Sequence, residues 1–179
     1  MGKSKSKGLI IVHTGNGKGK TTAAMGMALR AAGHNHKILM VQFIKGSWSY
    51  GELEAVKRLS PNFEILPLGK GFIRFDKEGP DPEDRKAVIE AWDIFKKRMR
   101  SGEFDMIILD EINYALSYNL LDLEDVLVEL KTKPEGTHLV LTGRDAHPKI
   151  IEIADLATEM KEIKHPFHKG IKAQKGIEF

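Results

Sequence analysis

Short, nearly continuous apolar runs recur along the chain, each followed by a glycine-rich or polar turn. The first contains Leu9-Ile10-Ile11-Val12, and the pattern predicts strands over residues 8–13, 37–43, 63–67, 106–111 and 138–142, with a last strand over 160–163. Runs without polar interruption suit a parallel sheet buried on both faces. Between them, helices are expected over 20–32, 52–59, 83–100, 122–131 and 148–156. In the third of these, Val88, Trp92, Phe95 and Met99 recur at helical spacing; in the fourth, Leu123, Val126, Leu127 and Leu130 do so. Both stripes are core-facing. Gly33 is placed to end the first helix, Pro61 to close the second and Pro148 to open the last. Strands alternating with helices imply one α/β domain over 8–179, with a mostly parallel, doubly wound sheet of about six strands, behind a leader expected to be flexible over 1–7.

The stretch Thr14-Gly15-Asn16-Gly17-Lys18-Gly19-Lys20-Thr21-Thr22 joins the first strand to the first helix. That is the context a phosphate-binding loop requires. Gly15, Gly17 and Gly19 let the backbone curl so that successive N–H groups point at phosphate oxygens, and the helix start adds its positive end. Lys20 is positioned to reach a terminal phosphate, and Thr21 or Thr22 to place a hydroxyl on Mg²⁺. The usual G-x-x-x-x-G-K-[ST] pattern has glycine where this chain has Thr14, so the loop is one residue tighter.

Composition narrows the setting. At 179 residues the chain suffices for one self-supporting core. It has no cysteine, which excludes a disulfide framework, a thiolate metal site and a thiol nucleophile. With no apolar run of membrane-spanning length and no signal-peptide core, a soluble, cytoplasmic protein with no membrane partner is expected. The net charge of +3 is unevenly spread: residues 1–51 hold eight Lys or Arg and no acid, leaving 20 basic and 25 acidic side chains beyond. A polyanion would be drawn to the loop's end of the protein.

In parallel sheets, ligands sit at the carboxyl ends of the strands. The glycine-rich loop, Gln42-Phe43, Asp110-Glu111 and Gly143-Arg144 all fall there. Asp110 and Glu111, after four apolar residues, are placed to take part in holding a hard cation; Glu111 is alternatively a base activating water. Arg144 is suited to grip phosphate oxygens and stabilise a leaving group. Trp48, Tyr50, Phe72 and Phe75 lie on loops outside the core periodicity, as for a flat second substrate or lids over the sheet. His165-Pro166-Phe167-His168 is read as tail packing and His13 as structural.

Several segments together carry a resemblance: the loop through Ala23-Ala24, then Val41-Gln42-Phe43-Ile44-Lys45-Gly46, Gly71-Phe72, Leu109-Asp110-Glu111, Thr142-Gly143-Arg144 and Lys172-Ala173-Gln174-Lys175-Gly176-Ile177. In this order, across nearly the whole chain, they resemble the CobA/CobO/BtuR-type corrinoid adenosyltransferases. The resemblance implies a P-loop, RecA-like fold and an enzyme that moves the 5′-deoxyadenosyl group of ATP onto Co(I) of a reduced corrinoid, cob(I)alamin or cob(I)yrinic acid a,c-diamide, releasing triphosphate in cobalamin biosynthesis or salvage. It implies that Lys18, Lys20, Arg144 and the amides of Gly15, Gly17 and Gly19 hold the phosphates, that Asn16 and Thr22 complete the nucleotide contacts, and that Lys20, Arg144 and Glu111 serve catalysis. Thr21 and Glu111 are the implied ligands of Mg²⁺ (or Mn²⁺), with Asp110 behind them. Phe72 matches a family phenylalanine that crowds the corrinoid's lower face. Arg74 stands where some members carry tryptophan, and Phe75 and Trp48 complete the implied corrinoid contacts. A reducing flavoprotein as electron donor and a homodimer are also implied.

From the residues alone, two alternatives remain: a P-loop ATPase or small-molecule kinase, and a RecA-like ATP-driven nucleic-acid-binding module. Intact triphosphate against ADP as product separates the first from a transferase. The modest basic excess and the lack of a basic–aromatic stripe outside the loops count against nucleic acid.

Overall fold

Alternate residues of each central strand turn to opposite sides of the sheet, and both sides are apolar. In a computed structural model of the protein, which describes residues 7–46, 50–71, 73–74 and 79–178, Ile10, Val12, Leu39, Val41, Ile107, Leu109, Leu139 and Leu141 enter one core. Their neighbours Ile11, Met40, Ile108 and Val140 enter another. This period-two division is why the strands read as continuous apolar runs.

The strands are β1 (Ile10–Thr14), β2 (Ile38–Gln42), β3 (Phe63–Pro67), β4 (Met106–Asp110), β5 (His138–Thr142) and β6 (Leu156–Glu159). They form one sheet in the order β3-β2-β4-β5-β1-β6, and every pairing is parallel. The expected doubly wound α/β architecture is therefore present, with a sheet that is wholly parallel among the described residues. On one side lie α1 (Lys20–Ala32) and α2 (Gly51–Lys57); on the other lie α3 (Pro82–Arg100), α4 (Ile112–Ser117), α5 (Leu123–Lys131) and α6 (Pro148–Ile153). Helix α1 meets the sheet through Ala24, Ala28 and Ala31. These small side chains let its axis, and the loop before it, lie close over the strand ends.

Helix α3 starts where Asp81 accepts the Glu83 amide at 2.9 Å, with Pro82 in the first turn and Lys97, Arg98 and Arg100 in the last. This is the charge and capping order that a helix dipole favours. Its Trp92 and Phe95 rings lie 4.8 Å apart, and Phe95 is fully buried.

The structure departs most from the sequence expectation at the last helix and strand and just after β4. Helix α6 stops at Ile153 and the last strand is Leu156–Glu159, not 160–163. All four residues of β6 are exposed, so no apolar run marks it. Backbone pairing to β1 defines it instead, flanked by Asp155 N–H to Ile10 O and Met160 N–H to Thr14 O, each at 2.8 Å. Helix α4 was not expected. It begins directly after Glu111, whose left-handed backbone (φ 65°) ends β4 and turns the chain. Of the leader expected over 1–7, only Lys7 is among the described residues; it pairs with Asp155 at 3.0 Å.

Candidate active site

Because all strands run the same way, Thr14, Gln42, Asp110 and Thr142 end on one rim. Gln42 is in register with Asp110, and His13 with Thr142. The glycine-rich loop leaves β1 at this rim and passes under the chain emerging from β6, where Gly17 N–H donates to Met160 O at 2.6 Å. A Cβ on Gly17 would lie 2.7 Å from that same carbonyl, so the close approach requires glycine. At the loop's exit Gly19 has φ 110° and caps α1 without a side-chain bond. No acid lies in the first turn of α1, whose free amides face the loop as an anion site.

Lys20 is buried, and its Nζ donates to Gly15 O at 2.7 Å and Gly17 O at 2.8 Å. The ammonium is thereby drawn into the loop. Burial holds its pKa below the ordinary value, against the pull of Glu111, while Arg144 lowers it further. Thr21 Oγ1 donates to Asp110 Oδ1 at 2.8 Å. The same oxygen accepts from Thr142 Oγ1 at 2.8 Å, and Oδ2 accepts from Gln42 Nε2 at 3.2 Å. Asp110 is completely buried, and three donors stabilise its charge there.

Glu111 differs from its neighbour. Its amide donates to Thr142 Oγ1 at 2.9 Å, but its carboxylate takes no hydrogen bond among the described residues and lines the cavity above the loop. Burial, then the Asp110 charge, pushes its carboxyl above the usual range. Arg144 is exposed at the same cavity and forms no ion pair with Asp145 or any other described residue. It is free to meet an anion.

The cavity is ≈ 670 Å³. Asn16, Gly17, Lys18, Gly19, Lys20, Thr21 and Thr22 form its floor, so the structure brings the expected loop residues together with Glu111 and Arg144. Gly15 contributes through its carbonyl to Lys20, and Thr22 Oγ1 is bonded to Gly19 O at 3.0 Å. Among the described residues no cluster of three or more His, Cys, Asp or Glu offers a preformed metal cage. Thr21 and Glu111 are among the oxygen-bearing side chains that line the cavity, with Asp110 bonded behind Thr21.

Two walls were not singled out as nucleotide contacts from the sequence. Lys45 and Glu52 pair at 2.8 Å, with Lys45 4.8 Å over the Tyr50 ring; both charged groups line the cavity. Their signal is Lys45, three residues past the end of β2. The second wall is Gly176–Glu178 from the far end of the chain, which no local pattern could bring to the loop.

Of the expected corrinoid contacts, Trp48, Phe72 and Phe75 lie outside the described residues. Arg74 does not line the cavity. It is tied to the start of α3 by Asp81 at 3.0 Å and Asp84 at 3.7 Å. The tail motif at 165–168 does not pack as expected: Phe167 is 75% exposed. His165 Nδ1 instead accepts from Phe167 N–H at 3.1 Å, capping a 3₁₀ turn, and His168 bonds Glu162 at 2.7 Å. His13 is buried beside the loop, and burial lowers its pKa, in keeping with a neutral, structural ring.

A wholly parallel sheet with this loop, a buried strand-end acid and cavity-facing cations defines a P-loop nucleotide-binding protein. A KaiC-like protein of known structure from Pyrococcus horikoshii OT3 has the same fold, with TM-score 0.52 at 14% identity over 88% of this chain and 75% of that one. The chain belongs to the ATP:corrinoid adenosyltransferase BtuR/CobO/CobP family, which it matches over residues 6–179. A corrinoid adenosyltransferase of Sinorhizobium sp. is 47% identical over 99% of this chain and 83% of its own length. That of Escherichia coli K12 is 40% identical over 97% and 86%, and the CobA corrinoid adenosyltransferase of Salmonella typhimurium is 38% identical over 98% and 87%. No helix among the described residues is long and apolar enough to cross a membrane.

Proposed function

We propose that this protein transfers the 5′-deoxyadenosyl group of ATP to Co(I) of a reduced corrinoid, cob(I)alamin or cob(I)yrinic acid a,c-diamide, releasing triphosphate, in the formation of adenosylcobalamin. The observation that carries it is the convergence of loop amides, Lys20, Arg144 and Glu111 on one cavity, in a chain of this family.

Cobalt supplies the electron pair for the new Co–C5′ bond. The C5′–O bond breaks, and its pair leaves with triphosphate. Co(I) needs little activation, so the protein's work is to orient C5′ and to stabilise charge on the departing oxygens. The loop amides, Lys18, Lys20 and Arg144 do the second, with Asn16 and Thr22 completing the nucleotide contacts. The amides and the α1 end are already fixed by Gly17 and Gly19, so little reorganisation accompanies the charge as it develops.

Thr21 and Glu111 suit Mg²⁺ (or Mn²⁺). The Thr21 hydroxyl proton is directed at Asp110, leaving its lone pairs for a cation, and the unbonded Glu111 carboxylate faces the same space. A divalent ion there supplies further neutralisation of the phosphates. Trp48, Phe72 and Phe75 are the proposed walls for the flat corrinoid. Arg74, engaged by Asp81 and Asp84, is proposed to act by holding its own stretch of chain against the start of α3. A reduced flavoprotein supplies the electron that makes Co(I), and the enzyme works as a cytoplasmic homodimer.

The test is anaerobic. The protein is mixed with Mg-ATP and chemically reduced cob(I)alamin, the visible spectrum is followed, and the phosphate product is identified. Adenosylcobalamin with stoichiometric triphosphate is expected, with kcat lowered about 10²-fold in Lys20→Met or Arg144→Met. Steady ADP release without a cobalt–carbon product would overturn the proposal.

A further inference from the structure

The C-terminal segment returns to the phosphate loop across 160 positions, where Lys18 Nζ meets Glu178 Oε1 at 3.1 Å. The other carboxylate oxygen, Oε2, accepts the Gln174 amide at 2.7 Å. The amides of Ile177 and Glu178 in turn donate to Gln174 O at 3.1 and 2.9 Å. These bonds close a one-turn hook that presents its carboxylate to the loop. Gly176, Ile177 and Glu178 line the same cavity as Lys18 and Lys20. The hook is lightly held: residues 169–177 are all exposed, and Lys18–Glu178 is the one side-chain bond among the described residues that joins 170–178 to the rest of the protein.

A carboxylate on a loop lysine, beside the free amides of a helix start, occupies the place of an incoming anion. Glu178 is the more enclosed partner, 15% exposed against 49% for Lys18. We propose that Glu178 is an internal counter-anion, displaced from Lys18 by the triphosphate of the nucleotide, so that the hook sets polyphosphate affinity and aids product release. A triphosphate offers Lys18 more charge than one carboxylate, and its negative field repels Glu178 from the loop. On departure, Glu178 recaptures Lys18 and removes one of the cations that would retain the product. Glu178 thus acts through Lys18 and is a positioning residue. The inference rests on the reading of the loop as a polyphosphate site.

Calorimetry with inorganic triphosphate on the full chain tests it without any corrinoid. Glu178→Gln is expected to bind about two- to five-fold tighter than the unaltered protein, the range an exposed ion pair supports. Glu103→Gln removes an exposed carboxylate that pairs with Lys37 just before β4 and β2, at the opposite rim of the sheet, and should change nothing. In the unaltered protein, triphosphate should also speed hydrogen exchange at the amides of Gln174, Ile177 and Glu178. Equal or weaker binding by Glu178→Gln, or slower exchange at those amides on binding, overturns the inference while leaving the polyphosphate site intact. Absence of binding by all three proteins overturns the polyphosphate reading itself.

Discussion

Thr21 and Asp110, 89 positions apart, are joined by a 2.8 Å hydrogen bond from the threonine hydroxyl to the carboxylate. The bond links the first turn of α1 to the end of β4, and so registers the phosphate loop against the central strands. Thr142 and Gln42 extend the same carboxylate's contacts to β5 and β2. One buried acid therefore couples three strand ends to the loop, and its loss should be felt both in stability and at the site.

Replacing Asp110 by alanine strands the Thr142 and Gln42 donors in a buried place. Hydrogen bonds to a charged group contribute about 1.5–3 kcal/mol each. Destabilisation of about 3 kcal/mol or more is expected, read from the shift of the urea midpoint at unchanged slope, with weakened ATP binding in the folded fraction. A midpoint within error of the unaltered protein would show that the carboxylate is not the tie described.

Gly17→Ala sets a Cβ against the Met160 carbonyl at 2.7 Å. Backbone faces backbone there, so the loop must move and the 2.6 Å Gly17–Met160 bond must break. Nucleotide affinity should fall at least about tenfold for a loss of about 1.4 kcal/mol, with thermal stability changed much less. Calorimetric titration with ATP beside a melting curve measures both. Full affinity in this variant would contradict the tight passage of loop beneath strand.

The edge strand β6 should loosen in acid. Asp155 accepts the Ile10 amide at 2.9 Å and the Lys7 ammonium at 3.0 Å, and these bonds, the backbone one first, hold its carboxyl below the ordinary 3.8. A carboxyl lowered on folding stabilises the fold above its ordinary pKa, and that contribution disappears as pH falls through the lowered value. Hydrogen exchange at the Ile10 amide should therefore speed up as pH drops below the ordinary aspartate range, beyond the intrinsic trend. Asp155→Ala should show the loosened rate at neutral pH and no further change. Identical exchange profiles for the two proteins would refute this.

Phe95→Ala opens a cavity on the α3 side of the sheet, where Phe95 is fully buried against Trp92. A cost of about 3–5 kcal/mol is expected, measured by denaturant unfolding. The site lies at the strand ends, away from this ring. Affinity for ATP in the folded fraction should therefore stay within about twofold, and a tenfold loss would show coupling between core and loop.

The sequence by itself determined the layers, the loop and the family. Continuous apolar runs are the direct consequence of burying both faces of a parallel strand. A glycine-rich turn between strand and helix has few other uses, and Asp110 and Arg144 stand immediately after strand runs that locate them on the rim. What escaped was structure without a local hydrophobic signal. β6 is an exposed edge, held by backbone bonds to β1 that any side chains would permit. Helix α4 hangs on the left-handed backbone of Glu111, a conformation no periodicity announces. The division of labour between Asp110 and Glu111 was likewise decided only in three dimensions. Asp110 is the last residue of β4 and is enclosed by three donors, whereas Glu111 follows it in a left-handed turn that leaves its carboxylate facing the cavity. The meeting of Lys18 with Glu178 belongs there too, because only chain topology brings the end of the tail to the first loop.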